Sequence, residues 1–143
     1  MELYFQEVGN MDMNTCTKNK LVKNVRPDIN KLQALLKSAD KKIKACDILP
    51  DELGEPKITL IYDGIRIILE YLALKQGYKI YNHKCYTAFL KEIMKKSRLG
   101  DEFDKFRRIR NDINYYGKEV NKEDAKELVL QMKKFLKQIK LEV

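Results

Sequence analysis

At 143 residues the chain is one domain's worth, long enough to close a single core without disulfides or metals. Its 44% hydrophobic and 35% charged residues, three Pro and no Trp, are those of an ordinary soluble, helix-rich protein. Lys and Arg total 29 against 21 Asp and Glu, and the resulting +8 favours acidic partners such as nucleic acid or anionic lipid. Cys16, Cys46 and Cys85 are odd in number and widely spaced, with no C-x-x-C pair. They indicate neither a disulfide framework nor a zinc site and point to a reducing compartment. A single histidine, His83, argues against a multi-His metal centre, so no metal or other cofactor is expected.

Residues 1 to 16 show no sustained periodicity, and the LYFQ within them resembles the core of a tag-cleavage site, so they are read as an arm outside the fold. The domain is placed at 17–143. Pro27 and Asp28 open a predicted helix running to Cys46, in which Ile29, Leu32, Leu35, Leu36, Ala39 and Ile43 recur at three and four. DILPDELGEP, residues 47–56, ends it. The stretch from Lys57 to Lys75 is the most apolar and needs neighbours on several sides, which places it at the centre of a bundle. Asp63, Arg66 and Glu70 form its polar stripe and exclude a lipid-facing span; with no signal peptide visible, the protein is expected to be cytoplasmic, without membrane contact.

Gly77 terminates that helix, YKIYN reads as an aromatic connection, and Asn82 caps a helix predicted over 83–98, with His83 in its first turn. Leu99-Gly100-Asp101 is the next predicted break, with Asp101 capping a helix that ends near Gly117. Asn121 caps the last helix, from Lys122 to about Leu141. No strand-period segment is long enough to predict a sheet. The sum is an all-α, single-domain, up-and-down bundle of about five helices.

FRRIRNDINYYG, residues 106–117, concentrates cationic, amide and aromatic groups on one helix. On a helical wheel Phe103, Phe106, Ile109, Ile113 and Tyr116 share an apolar arc, and Arg110 falls inside it. A guanidinium aimed at a packed side needs a partner or a wet cleft, because it does not lose its charge. Asp63 or Glu70 is the carboxylate expected to meet and orient Arg110 across the bundle. Arg107, Arg110, Asn111, Asn114 and Tyr115 are the candidate nucleic-acid or phosphate site, whereas the surface lysines read mainly as solvated faces.

YDGIRIILEYLALKQGYKIYNHKCYTAFL followed by EFDKFRRIRNDINYYGK resembles the HEPN (higher eukaryotes and prokaryotes nucleotide-binding) domain superfamily of small helical bundles, over about residues 25 to 141. That family's mark is an Arg, usually followed by a polar residue, and a His four to six residues on. Arg110 and Asn111 match the first two elements; Tyr115 stands where the His is expected. The resemblance implies a homodimer that binds RNA, nucleotide or a protein partner through the Arg110 groove with lost or weak ribonuclease activity. Its alternatives are a metal-independent ribonuclease toxin using Arg110 and Tyr115, paired with a nucleotidyltransferase-type antitoxin, and a non-catalytic assembly protein in which Arg110 is a structural ion pair.

Overall fold

The computed structural model describes residues 11–143; the LYFQ segment and the rest of residues 1–10 lie outside the described residues. Among the described residues six helices and one small sheet follow in order: α1 (Met13–Lys18), β1 (Val22–Asn24), α2 (Ile29–Ile48), α3 (Gly54–Lys75), β2 (Tyr78–Ile80), α4 (His83–Ala88, continued as a π-helical turn over Phe89–Ile93), α5 (Ser97–Tyr116) and α6 (Lys122–Lys140). The result is an all-α bundle, as the periodicities predict.

α3 is the centre. Ile58, Ile61, Ile65, Ile68 and Leu69 are fully or almost fully buried, because α2 packs along one side, α6 along another and α5 along a third. α6 contributes the predicted stripe of Ala125, Leu128, Val129, Met132, Leu136 and Ile139, and its Phe135 meets Phe106 of α5 edge-on at 5.6 Å. The starts of α2, α4 and α6 follow the cap chemistry, whereas α3 and α5 begin without a side-chain cap. Asp28 accepts from the backbone N–H of Asn30 at 2.9 Å, Asn82 from Lys84 at 2.9 Å and Asn121 from Asp124 at 2.9 Å, each satisfying an amide that has no partner within its helix. Gly117 ends α5 in the left-handed region at φ 61°, where an L side chain is strained and glycine is not.

Four expectations need correction. The arm does not extend to residue 16: Asp12 caps α1 and accepts from Thr15 N–H at 2.7 Å, the Met13 N–H donates to Glu92 at 2.8 Å, and Met13 and Cys16 are buried in the core. Six residues are too few to display a helical period, so nothing local revealed them. Cys16 and Cys85 form a disulfide across 69 residues of chain, which ties α1 to α4 and removes the ground for inferring a reducing compartment. Cys46 remains a buried free thiol.

β1 and β2 pair antiparallel, with Val22 opposite Ile80 and Asn24 opposite Tyr78, so part of the aromatic connection is an edge of a two-stranded sheet. Each strand has three residues, and its signal lies in the distant partner. Finally, the break predicted at 99–101 falls earlier. Lys95 turns the chain with φ 60°, and α5 begins at Ser97. Gly100 lies inside α5 instead, packed against α4. A Cβ there would sit 2.7 Å from Lys91 Cγ and 3.2 Å from the Thr87 carbonyl oxygen, so this glycine serves packing and not a break. Among the described residues no helix is long and apolar enough to cross a membrane.

Candidate functional site

α3 and α5 run antiparallel, so Thr59 of α3 meets Asn114 near the end of α5, while Asp63 and Tyr62 meet Arg110 one turn back. This register fixes the chemistry. Tyr62 is fully buried and its ring stacks on Phe103 at 5.7 Å; the Arg110 guanidinium carbon lies 5.3 Å from the centre of the same ring. A cation placed so over an aromatic ring is held by the ring quadrupole. The terminal nitrogen of Arg110 approaches Asp63 at 3.8 Å, too far for a hydrogen bond, and its Nε is buried without a hydrogen-bond partner among the described residues. The donors of Arg110 are therefore largely unused.

The arginines around it are paired. Arg107 is 6% exposed and gives two hydrogen bonds to one oxygen of Asp104, at 3.1 and 2.8 Å, while Arg108 takes the second oxygen at 2.6 Å. Arg66 donates to Glu70 at 3.0 Å, one turn along α3, and lies against the Tyr86 hydroxyl. Lys42 of α2 stands 4.0 Å from the other oxygen of Asp63. Through these ion pairs five cationic side chains share three carboxylates, and the patch carries an excess of positive charge.

His83 joins the patch from the start of α4. Its Nδ1 is 2.9 Å from the Tyr62 hydroxyl, and its ring lies 5.9 Å from the Tyr62 ring and 6.3 Å from that of Tyr86. Burial, followed by the positive fields of Arg66, Arg110 and Arg107, lowers its pKa from 6.5 to about 4, so the imidazole is neutral at pH 7. Burial also pushes the Tyr62 and Tyr86 hydroxyls well above their ordinary range, which keeps both protonated and able to donate.

The residues singled out in the sequence divide accordingly. Arg110, Asp63 and Asn114 come together along the α3–α5 seam, and Asn111 is partly buried one position beyond Arg110. Glu70 does not meet Arg110, because Arg66 on its own helix captures it. Arg107 faces inward and is neutralised by Asp104, so it is not a free phosphate ligand. Tyr115 is 73% exposed on a helix that continues unbroken to Tyr116. Five residues along such a helix turn it roughly 140° away from Arg110, so the two do not converge within one chain. Tyr116, placed in the core by the wheel, is 68% exposed, since the neighbouring helices do not cover the end of α5.

His83, Tyr62 and Arg66 are the members that the motif missed. Tyr62 and Arg66 read as ordinary members of a core helix, and His83 sits at a helix entry. Only the antiparallel packing of α3, α4 and α5 brings all three to Arg110. Comparison with family models, with curated proteins and with solved structures finds no match to this chain.

Proposed function

We propose that this chain is a HEPN-like RNA-binding module, acting as a homodimer, that takes an RNA phosphate at Arg110. The observation that carries the reading is the state of Arg110: a guanidinium held in place by Tyr62, paired only at 3.8 Å with Asp63, with donors to spare in a patch of excess positive charge. A structural arginine saturates its donors; a phosphate-binding arginine keeps them for the ligand, where charge-assisted hydrogen bonds are strongest. Tyr115 and Tyr116, exposed beyond Arg110 on α5, offer ring faces for stacking a base or for contact with a second copy. The test is binding of single-stranded RNA at low salt in the presence of chelator. Arg110→Ala is expected to weaken binding at least tenfold while the helical spectrum is retained. Equal binding by both proteins would refute the role of Arg110.

Metal-independent RNA cleavage is a second reading, and one observation favours it: His83 supplies an imidazole to the Arg110 patch from a different helix than the family motif would use. In such a reaction the ribose 2′-hydroxyl attacks the adjacent phosphorus, its proton passes to a base, and the bond to the 5′-oxygen breaks as that oxygen is protonated. An imidazole with so low a pKa is a weak base for this purpose, so binding is the stronger reading. Metal-free cleavage lost in both Arg110→Ala and His83→Gln would reverse that order. As a toxin the chain would need a nucleotidyltransferase-type antitoxin as partner; co-purification with such a protein is the corresponding test.

A further inference from the structure

His83 and Arg110 approach Tyr62 from different helices and touch different parts of it. The imidazole Nδ1 meets the hydroxyl at 2.9 Å, and the guanidinium lies over the ring face at 5.3 Å from its centre. The buried tyrosine, stacked on Phe103, therefore sets the spacing between a titratable base and a cation with unused donors. Both flanking side chains are partly accessible to solvent.

Among the described residues His83 has no anionic partner of its own. From α3 it faces Tyr62 and Arg66, from α4 Tyr86, and from α5 Arg107 and Arg110; Lys84 is the next residue in the chain, and Asp104 is held by Arg107. Asp63, Glu70 and Asp104 are each engaged by arginine, and Tyr62 keeps its proton. A proton on the imidazole is thus opposed by every field that dominates its surroundings. A phosphate seated at Arg110 would reverse the sign of that field.

We propose that His83 and Arg110, joined through Tyr62, form one proton-coupled phosphate site, in which a phosphate taken by Arg110 draws a proton from water onto the imidazole, so that the ligand binds more tightly as pH falls. This rests on the RNA-binding reading of Arg110 and adds its regulation. Linkage makes the coupling reciprocal: what raises the proton affinity of His83 on binding also raises the affinity for phosphate at lower pH. If the bound phosphate restores His83 to the ordinary histidine range, affinity at pH 5 exceeds that at pH 7.5 by on the order of tenfold or more.

His83 is the only histidine in the chain, so its imidazole gives a single, unambiguous NMR signal. The probe is a 2′-O-methyl oligouridylate with a 5′-hydroxyl, which neither titrates between pH 5 and 8 nor supports attack by a 2′-hydroxyl. The imidazole is titrated with and without saturating oligomer, and affinity is measured at constant ionic strength from pH 5 to 7.5. The expected result is a pKa that rises on binding, affinity that increases at least tenfold toward pH 5, and loss of that pH dependence in His83→Gln. A 5′-phosphorylated oligomer, compared at pH 5, tells whether a chain end or an internal phosphate occupies the site. Binding that weakens in Arg110→Ala but leaves the imidazole pKa unmoved would overturn the coupling and spare the RNA-binding reading. No binding at any pH would overturn both.

Discussion

Arg110 separates a binding site from a structural ion pair, and a double-mutant cycle with Asp63 measures which it is. A 3.8 Å approach between side chains 19% and 23% exposed, without a hydrogen bond, is worth about 0.5–1 kcal/mol. The contact with the Tyr62 face adds about 0.5–1 kcal/mol. Against these stands the buried Nε without a partner, whose desolvation costs about 1–3 kcal/mol and disappears with the side chain. Arg110→Ala should therefore change stability by something between a loss of about 1 kcal/mol and a gain of about 2 kcal/mol. Asp63→Asn also breaks the 4.0 Å approach of Lys42, but that loss cancels in the cycle with the double mutant. Urea unfolding of the four proteins should give a coupling energy below about 1 kcal/mol. Asp63→Asn should in addition bind RNA more tightly, because it removes the carboxylate nearest Arg110. A coupling energy above about 2 kcal/mol with no gain in RNA affinity would show Arg110 to be an architectural ion pair and refute the reasoning.

Arg107→Ala should behave in the opposite way: removing a 6% exposed guanidinium that gives two hydrogen bonds to Asp104 should cost about 2–4 kcal/mol, read by urea unfolding. Because folding lowers the His83 pKa to about 4, its neutral form favours the folded state. This stability is complete above pH 6.5 and is lost as pH falls toward 4, by about 1–2 kcal/mol after allowance for screening, and the loss should be absent in His83→Gln. The disulfide between Cys16 and Cys85 predicts one titratable thiol, that of Cys46, in unfolded non-reduced protein and three after reduction. Closing a loop of that length contributes about 4 kcal/mol on the chain-entropy estimate, so reduction should lower the melting temperature clearly.

The long helices could be read from the sequence because their signals are local. Asn82 and Asn121 cap the amides that short-range chemistry assigns them, Asp28 stands at the opening of α2, and the all-round apolar character of α3 and the three-four stripe of α6 mark what they bury. What escaped was set by distant contacts. The two strands pair across the intervening α2 and α3, and Cys16 finds Cys85 on a different helix. Gly100 imitates a break because its lack of a side chain is used against Lys91 and Thr87. The turn at Lys95 has neither glycine nor proline to announce it.

The site divides along the same line. Arg110 and its approach to Asp63 follow from a wheel and a charge pattern, whereas Glu70 and Arg107 found nearer partners at one-turn spacing. Tyr116 falls on the apolar arc of α5 yet faces solvent, since a wheel gives direction but not how far the neighbouring helices extend. His83 required knowledge of which helix ends meet.

The most direct measurement of the central claim is the salt dependence of single-stranded RNA affinity for the unaltered chain and for Arg110→Ala. If Arg110 holds a phosphate, the unaltered chain binds more tightly, and the slope of log affinity against log salt falls by about 0.7 when the guanidinium is removed, the counterion release of one single-strand phosphate contact. Equal affinities and equal slopes would contradict the claim and leave Arg110 a residue of the fold alone.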